Sequence, residues 1–313
     1  MTEGAFWGKM RAVSCEEEHG PVRAFLIYGS YRLLGGLFGP LPPRLGYPLA
    51  RRAGTLLYHV SPRLRRALAD NMRHVLGPGA SEEQVRAATR TLCGNIAKGH
   101  YELFRVSRLT PEEIRHMVRI EGIEHFHAAK QPGKGVIVVS AHLGNVDIVI
   151  QAPLAYGISI MGPTMHVQPE RLFRYILKLR QSHGLRLIPI DGPLLPVVRA
   201  LRKGELVGLP MDRVIAESTR VVEFFGAPTR LPDGPVRLAL RTGAVLLPAF
   251  ARRLADDRFL IQVEPPLEME KTGDQEADIA AGMEQVVRIM ERYIARSPDQ
   301  WLIAAPLWPA SAD

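Results

Sequence analysis

Val136-Ile137-Val138-Val139-Ser140-Ala141-His142-Leu143-Gly144-Asn145-Val146-Asp147 is the stretch on which the reading of this 313-residue chain turns. Residues 136–139 form an unbroken β-branched run, the pattern of a strand buried on both faces. Gly144-Asn145 then opens a helical pattern. Further strand-like runs follow at 158–161, 185–190, 206–209, 221–225, 244–250 and 259–263. Helical stretches separate several of them, at 146–155, 170–183, 194–202, 235–241 and 279–296. Strands alternating with helices predict an α/β fold: a largely parallel sheet flanked by helices.

Upstream the period changes. Apolar residues recur three and four apart over 24–37, 45–60, 64–75 and 85–104. Pro40, Pro42-Pro43, Pro62 and Gly77-Pro78-Gly79 punctuate these helices. Ser81-Glu82-Glu83 supplies a hydroxyl cap and two acids for a helix start. The expected organisation is a flexible N-terminus over 1–20, a helical region over 21–106 and an α/β core over 107–313.

Charge separates the same regions. The chain is +8 overall, and residues 19–78 carry nine Arg against one acid, Asp70, so this segment alone is +8. It is also rich in Leu, Phe and Tyr. Basic and apolar together fit a membrane surface, where Arg meets anionic head groups and apolar side chains enter the acyl boundary. A plain basic helical face over an ordinary core fits the same residues. Nucleic acid is not expected, since no groove-reading motif is present. The longest run free of Asp, Glu, Lys and Arg, 148–169, is broken by Pro153, Gly157 and Gly162-Pro163, so no bilayer span is expected. Glu3 and Glu16-Glu17-Glu18, with no apolar run between them, do not make a signal peptide. A composition of 46% hydrophobic and 23% charged residues excludes disorder. Cys15 and Cys93 offer neither a disulfide framework nor a Cys-rich metal site, and a reducing, cytoplasmic setting is the default.

The common cofactor signatures are absent: no G-x-G-x-x-G, Walker A loop, C-x-x-C, H-E-x-x-H or G-x-S-x-G occurs. His142 with Asp147 five residues on remains. A His–acid pair at this spacing is weak by itself, and His116 with Glu121 is a second instance. On a continuous helix five residues turn about 140°, so the second pair should point apart. His142 instead follows a buried strand, at the carboxyl edge where open α/β sheets bind ligands. From the first helical turn, Asp147 can reach back to one imidazole nitrogen and leave the other as a general base. Asn145 should cap the helix. A histidine that merely closes the turn also accounts for these residues.

The block His142 to Asp147 resembles the H-x-G-N-W-[DE] motif of the bacterial lipid A biosynthesis acyltransferase family, which includes the phosphatidylinositol mannoside acyltransferases. The resemblance extends over roughly residues 20–310. Pro169-Glu170-Arg171-Leu172-Phe173 with Leu179-Arg180, Asp212-Arg213, Phe224-Phe225-Gly226, Thr242-Gly243-Ala244 and Pro298-Asp299-Gln300-Trp301 follow in the family's order. Two positions depart from it. Val146 replaces the common Trp, and Val214 replaces the last Asp of a D-R-D motif, so only Asp212 and Arg213 carry over.

The resemblance implies an α/β acyltransferase core with a membrane-associated helical N-terminal part, on the cytoplasmic face of the cell membrane. The implied reaction moves a fatty acyl group from acyl-CoA or acyl carrier protein, as co-substrate, to a lipid hydroxyl. His142 would be the base and Asp147 its orienter, with no metal and no resident cofactor. Amides near Gly144 and Asn145 would face the oxyanion. Arg180, Asp212 and Arg213 would bind substrate, the arginines through phosphate or pantetheine. Alternatives on the same fold are a thioesterase or lipid hydrolase using the same dyad, and a non-catalytic membrane-surface protein.

Overall fold

The computed structural model describes residues 20–130, 133–190, 192–213 and 218–308. The expected flexible N-terminus, apart from Gly20, and Val214 lie outside these residues. Four helices come first: α1 (Pro21–Phe38), α2 (Pro43–Val60), α3 (Pro62–Leu76) and α4 (Glu82–Val106). Each of the first three begins with a proline in its first turn, where a missing N–H costs nothing. Helix α4 begins at the predicted Ser81 cap, and Gln84 completes a reciprocal capping box with it.

Next come α5 (Pro111–Met117), β1 (Val118–Glu121), α6 (Ile123–Ala129), β2 (Val136–Ser140), α7 (Val146–Val149), α8 (Ala152–Ala155) and β3 (Ile160–Thr164). The chain continues through α9 (Glu170–Arg180), β4 (Arg186–Pro189), α10 (Leu195–Arg202), β5 (Leu206–Pro210), β6 (Thr219–Phe224) and β7 (Ala227–Pro232). It closes with α11 (Gly234–Thr242), β8 (Val245–Arg253), β9 (Phe259–Val263) and α12 (Gln275–Arg296). Seven strands form one sheet in the order β1-β9-β8-β2-β5-β3-β4, and β6 and β7 form a separate hairpin. In the large sheet β8 and β9 pair antiparallel and the other pairs are parallel. The fold class is the expected mixed α/β one.

Strand β2 sits in the middle, between β8 and β5, which explains its unbroken apolar run. Ile137 and Val139 join Val207, Leu246 and Phe250 in a core shared with Leu68 and Met72 of α3, Leu92 of α4 and Met290 of α12. Val136 and Val138 face the opposite layer, with Phe126, Leu206 and Leu247. Both faces are covered, so alternation disappears.

Three local expectations need correction. His116 and Glu121 do not share a continuous helix: α5 stops at Met117 and Val118 starts the parallel pairing with Phe259, so the two residues sit on different elements. The stretch 146–155 is two short helices with Pro153 in the first turn of the second, since proline donates no N–H to continue the ladder. Helix α9 ends at Arg180 in a 3-10 turn closed by left-handed Gly184.

Helix α2 lies close against α4, where a Cβ on Gly54 would collide with the Cys93 carbonyl. Helix α1 is different, with Gly35 its one fully buried residue. Phe25 (66% exposed), Leu26 and Leu33 (63%) turn outward. Among the described residues no helix is long and apolar enough to cross a membrane.

Candidate active site

Parallel register builds the centre of the site. Ser140, the last residue of β2, pairs with Pro210, the last of β5. The Met211 N–H extends the ladder by donating to the Ser140 carbonyl at 2.9 Å. Two residues beyond each strand end stand His142 and Asp212, and the same register brings them side by side. Asp212 Oδ1 lies 2.7 Å from His142 Nδ1. Its Oδ2 accepts the His142 backbone N–H at 2.6 Å and the Trp301 indole N–H at 2.7 Å. A carboxylate only accepts, so Nδ1 carries the proton and Nε2 presents its lone pair. Nε2 makes no hydrogen bond among the described residues, and the His142 side chain is 26% exposed while that of Asp212 is 0%.

The electrostatics fit this arrangement. Burial alone would raise the Asp212 carboxyl. Attraction to the His142 ring, the two N–H groups of that residue and the Trp301 indole outweigh it, and hold Asp212 below the usual carboxylate range.

The expected orienter is elsewhere. Asp147 turns to α9, where its two oxygens accept from Arg180 Nε at 2.6 Å and an Arg180 terminal nitrogen at 3.3 Å. The Nδ1 position of His142 belongs to Asp212 instead. The reason is topological: adjacent parallel strand ends deliver the Asp212 pairing, while Asp147 starts a helix packed toward Arg180. Arg180 is further fixed by its own carbonyl, which accepts from Gln151 at 3.0 Å. His100 of α4 lies near this pair. Desolvation by the surrounding protein lowers its pKa, the Asp147 charge opposes that, and the Arg180 charge adds to it.

The other predicted residues are spread over different tasks. Gly144 has φ +72° and lies against the β8 backbone at Ala251, a conformation that favours glycine. Its N–H donates to the Gln300 carbonyl at 3.0 Å, so this amide does not face an oxyanion as expected. Asn145 caps α7 as predicted, accepting the Asp147 N–H at 2.9 Å. Its amide group is buried and donates to Glu102 of α4, which withdraws the side chain from substrate. Val146 is half-buried at the first position of α7, and Arg213 is half-buried next to Asp212 in the chain.

Beneath the turn lies a network that the sequence reading did not find. Arg253, at the end of β8, grips Glu102 with two bonds of 2.6 and 2.7 Å. Tyr47 of α2 adds a third at 2.7 Å. All three residues are buried. Gln300 binds the Arg253 backbone in both directions, at 2.6 and 3.0 Å, and the Leu302 N–H donates to the His142 carbonyl at 2.7 Å. These partners come from α2, α4, β8 and the C-terminal segment, and nothing local in the sequence joins them. The described residues hold no group of three or more His, Cys, Asp or Glu placed to bind a metal.

Comparison with known proteins bears on what this geometry does. The family model described as bacterial lipid A biosynthesis acyltransferase matches residues 24–309. A phosphatidylinositol mannoside acyltransferase of Mycobacterium tuberculosis is 28% identical over 251 residues, covering 78% of this chain and 77% of its own. The protein of that name from Mycolicibacterium smegmatis is 26% identical over 292 residues, covering 84% and 94%. A lipid A biosynthesis acyltransferase of Haemophilus influenzae is 22% identical over 267 residues, covering 84% and 81%.

Proposed function

Because the chain belongs to the bacterial lipid A biosynthesis acyltransferase family, and is an acyltransferase, we propose that it transfers a fatty acyl group from an acyl thioester, on coenzyme A or acyl carrier protein, to a hydroxyl of a membrane glycolipid or phospholipid. The observation that carries the chemistry is the His142–Asp212 pair at the carboxyl edge of the sheet. Relatives named for phosphatidylinositol mannoside and lipid A support the choice of acceptor.

In this reading His142 Nε2 removes the proton from the acceptor hydroxyl as its oxygen attacks the thioester carbonyl. The tetrahedral intermediate collapses with cleavage of the C–S bond. The imidazolium then returns its proton to the leaving sulfur, so no covalent acyl-enzyme forms. Asp212 stabilises the imidazolium and fixes its ring. Asp147 acts at one remove, by holding Arg180, whose remaining N–H groups suit a phosphate on either substrate. The chemistry requires no metal and no nucleotide hydrolysis.

The acceptor is a lipid, and α1 and α2 provide the surface that meets it. Phe25, Leu26 and Leu33 on α1, with Leu45 and Leu56 on α2, are exposed. Arg23, Arg32, Arg44 and Arg52 lie on the same two helices. This combination suits a peripheral seat on the anionic, cytoplasmic face of the cell membrane.

The test is transfer from acyl-CoA and from acyl carrier protein to phosphatidylinositol mannoside or lipid A precursor vesicles, with product identified by mass spectrometry. Acylated lipid from the wild type, and none from His142→Ala, is expected. Release of free fatty acid alone, equal with and without acceptor, would replace this reading with a hydrolase.

A further inference from the structure

Away from the His142 turn, α1, α9 and the end of α4 enclose a cleft of about 800 Å³. Arg32, Arg108, Arg174 and Lys178 line it, with Phe104 and Tyr175 as its aromatic wall, and no Asp or Glu contributes to the lining. Arg174 is paired with Glu170 at 2.7 Å. Arg32 lies over the Tyr175 ring, 4.9 Å from its centroid. Among the described residues no carboxylate pairs with Arg32, Arg108 or Lys178. Three cations thus converge on one concave space without a counter-charge, an arrangement that self-repulsion disfavours unless an anion enters.

The walls are fixed. A Cβ on Gly35 would collide with the Tyr175 hydroxyl, so α1 and α9 approach as closely as glycine allows. Lys178 lies two residues before Arg180, which bonds Asp147 of α7, the helix that follows the His142 turn. One helix, α9, therefore joins the cleft to the catalytic edge.

We propose that this cleft is an organic-phosphate site, sized for a nucleotide with more than one phosphate. It takes the phosphorylated end of a substrate whose reacting end lies at His142. The proposal rests on the acyltransferase reading for its choice of substrates. Two substrates share the chemistry: the 3′-phosphorylated ADP of coenzyme A, and the phosphorylated head group of the lipid acceptor. Guanidinium and ammonium groups recognise phosphate by charge-assisted bonds. The volume falls within the range of small-molecule sites, ~300–1,000 Å³.

The experiment measures binding rather than turnover, so it does not depend on the acyl-transfer reading. Isothermal titration compares the wild-type chain with Arg108→Gln/Lys178→Gln, two exposed positions, and with Lys178→Gln alone should the double variant fail to fold. The probes are adenosine 3′,5′-bisphosphate and glycerophosphoinositol. Loss of about tenfold or more in affinity for the nucleotide assigns the cleft to the donor. The same loss for glycerophosphoinositol alone assigns it to the acceptor. Unchanged affinity for both in a folded variant, or no binding of either by the wild type, overturns the site. An active wild type with unchanged binding leaves the acyltransferase reading standing without it. An inactive wild type with the expected binding loss does the reverse.

Discussion

The turn that carries His142 and the first helix, α1, are built on opposite principles. Around the turn, polar atoms are buried and individually answered: Asp212 accepts three N–H groups, and Glu102 accepts from Arg253, Tyr47 and Asn145. On α1 Phe25, Leu26, Leu33 and Leu37 face outward, and Gly35 is the one fully buried residue. A buried polar group tolerates no loss of its partner, so the first region is specified atom by atom. An exposed apolar face is indifferent to detail and waits for something to cover it. Damage to the two regions should therefore look different. In the first it should appear as lost rate and lost stability, in the second as lost association with a folded, stable chain.

The largest effect should follow His142→Ala. A positioned general base contributes about 10²- to 10⁴-fold, or roughly 3–5 kcal/mol of barrier. Because the ring is partly exposed, thermal melts of this variant should stay near the wild type. Unfolding alongside inactivity would mean that the ring has a structural task as well.

Arg253→Met should separate support from chemistry. It leaves the Glu102 charge buried and opposed only by neutral partners, and breaking such a pair costs about 3–5 kcal/mol. Chemical denaturation should show the loss, and transfer should fall with it, since Asn145 hangs from Glu102. A stable, fully active Arg253→Met chain would show that the network does not hold the turn.

On α1, Phe25→Ser and Leu33→Ser should leave denaturation within about 0.5 kcal/mol of wild type. Each removes a side chain whose burial in lipid is worth roughly 1.5–3 kcal/mol, so sedimentation with anionic vesicles should weaken about tenfold per substitution. Unchanged vesicle binding would assign α1 another partner.

A smaller effect concerns acid. The Asp212 carboxyl is held below its ordinary value in the folded chain. Its contribution to stability is therefore present above the unfolded value near pH ~3.9 and is lost as pH falls through the lower, folded one. Between those two values the wild type should lose stability more steeply than Asp212→Asn, as read by denaturant melts across that window.

Much of this architecture is legible locally. The unbroken run of β2, the Asn145 cap and the Ser81 cap are short-range facts, and a sequence displays short-range facts directly. Strand β1 escapes because Val118-Arg119-Ile120-Glu121 continues the composition of α5, and only its parallel partner β9 decides it. Strand β7 escapes because it carries Pro228 and Pro232, which argue against a strand; a two-stranded hairpin tolerates them at its edges. The site divides the same way. His142 stands out from its own neighbours, whereas Asp212 is 70 residues away and Trp301 further still. Their meeting depends on which strand lies beside β2, and no periodicity encodes that. Asp147 drew the orienting role because it is near in sequence, and α9 takes it in space.

Asp212, not Asp147, sets the tautomer of His142. In Asp212→Asn the amide oxygen must occupy the Oδ2 position, because the His142 backbone and the Trp301 indole both donate there. The NH₂ group then faces Nδ1, which must accept, and the ring proton moves to Nε2, where it blocks the base. Nitrogen-15 NMR of the His142 ring at neutral pH reads this directly. An Nδ1–H ring is expected in the wild type and in Asp147→Asn, and an Nε2–H ring in a folded Asp212→Asn chain. An Nδ1–H ring persisting in Asp212→Asn, with Asp147→Asn changing it instead, would give the orienting role back to Asp147.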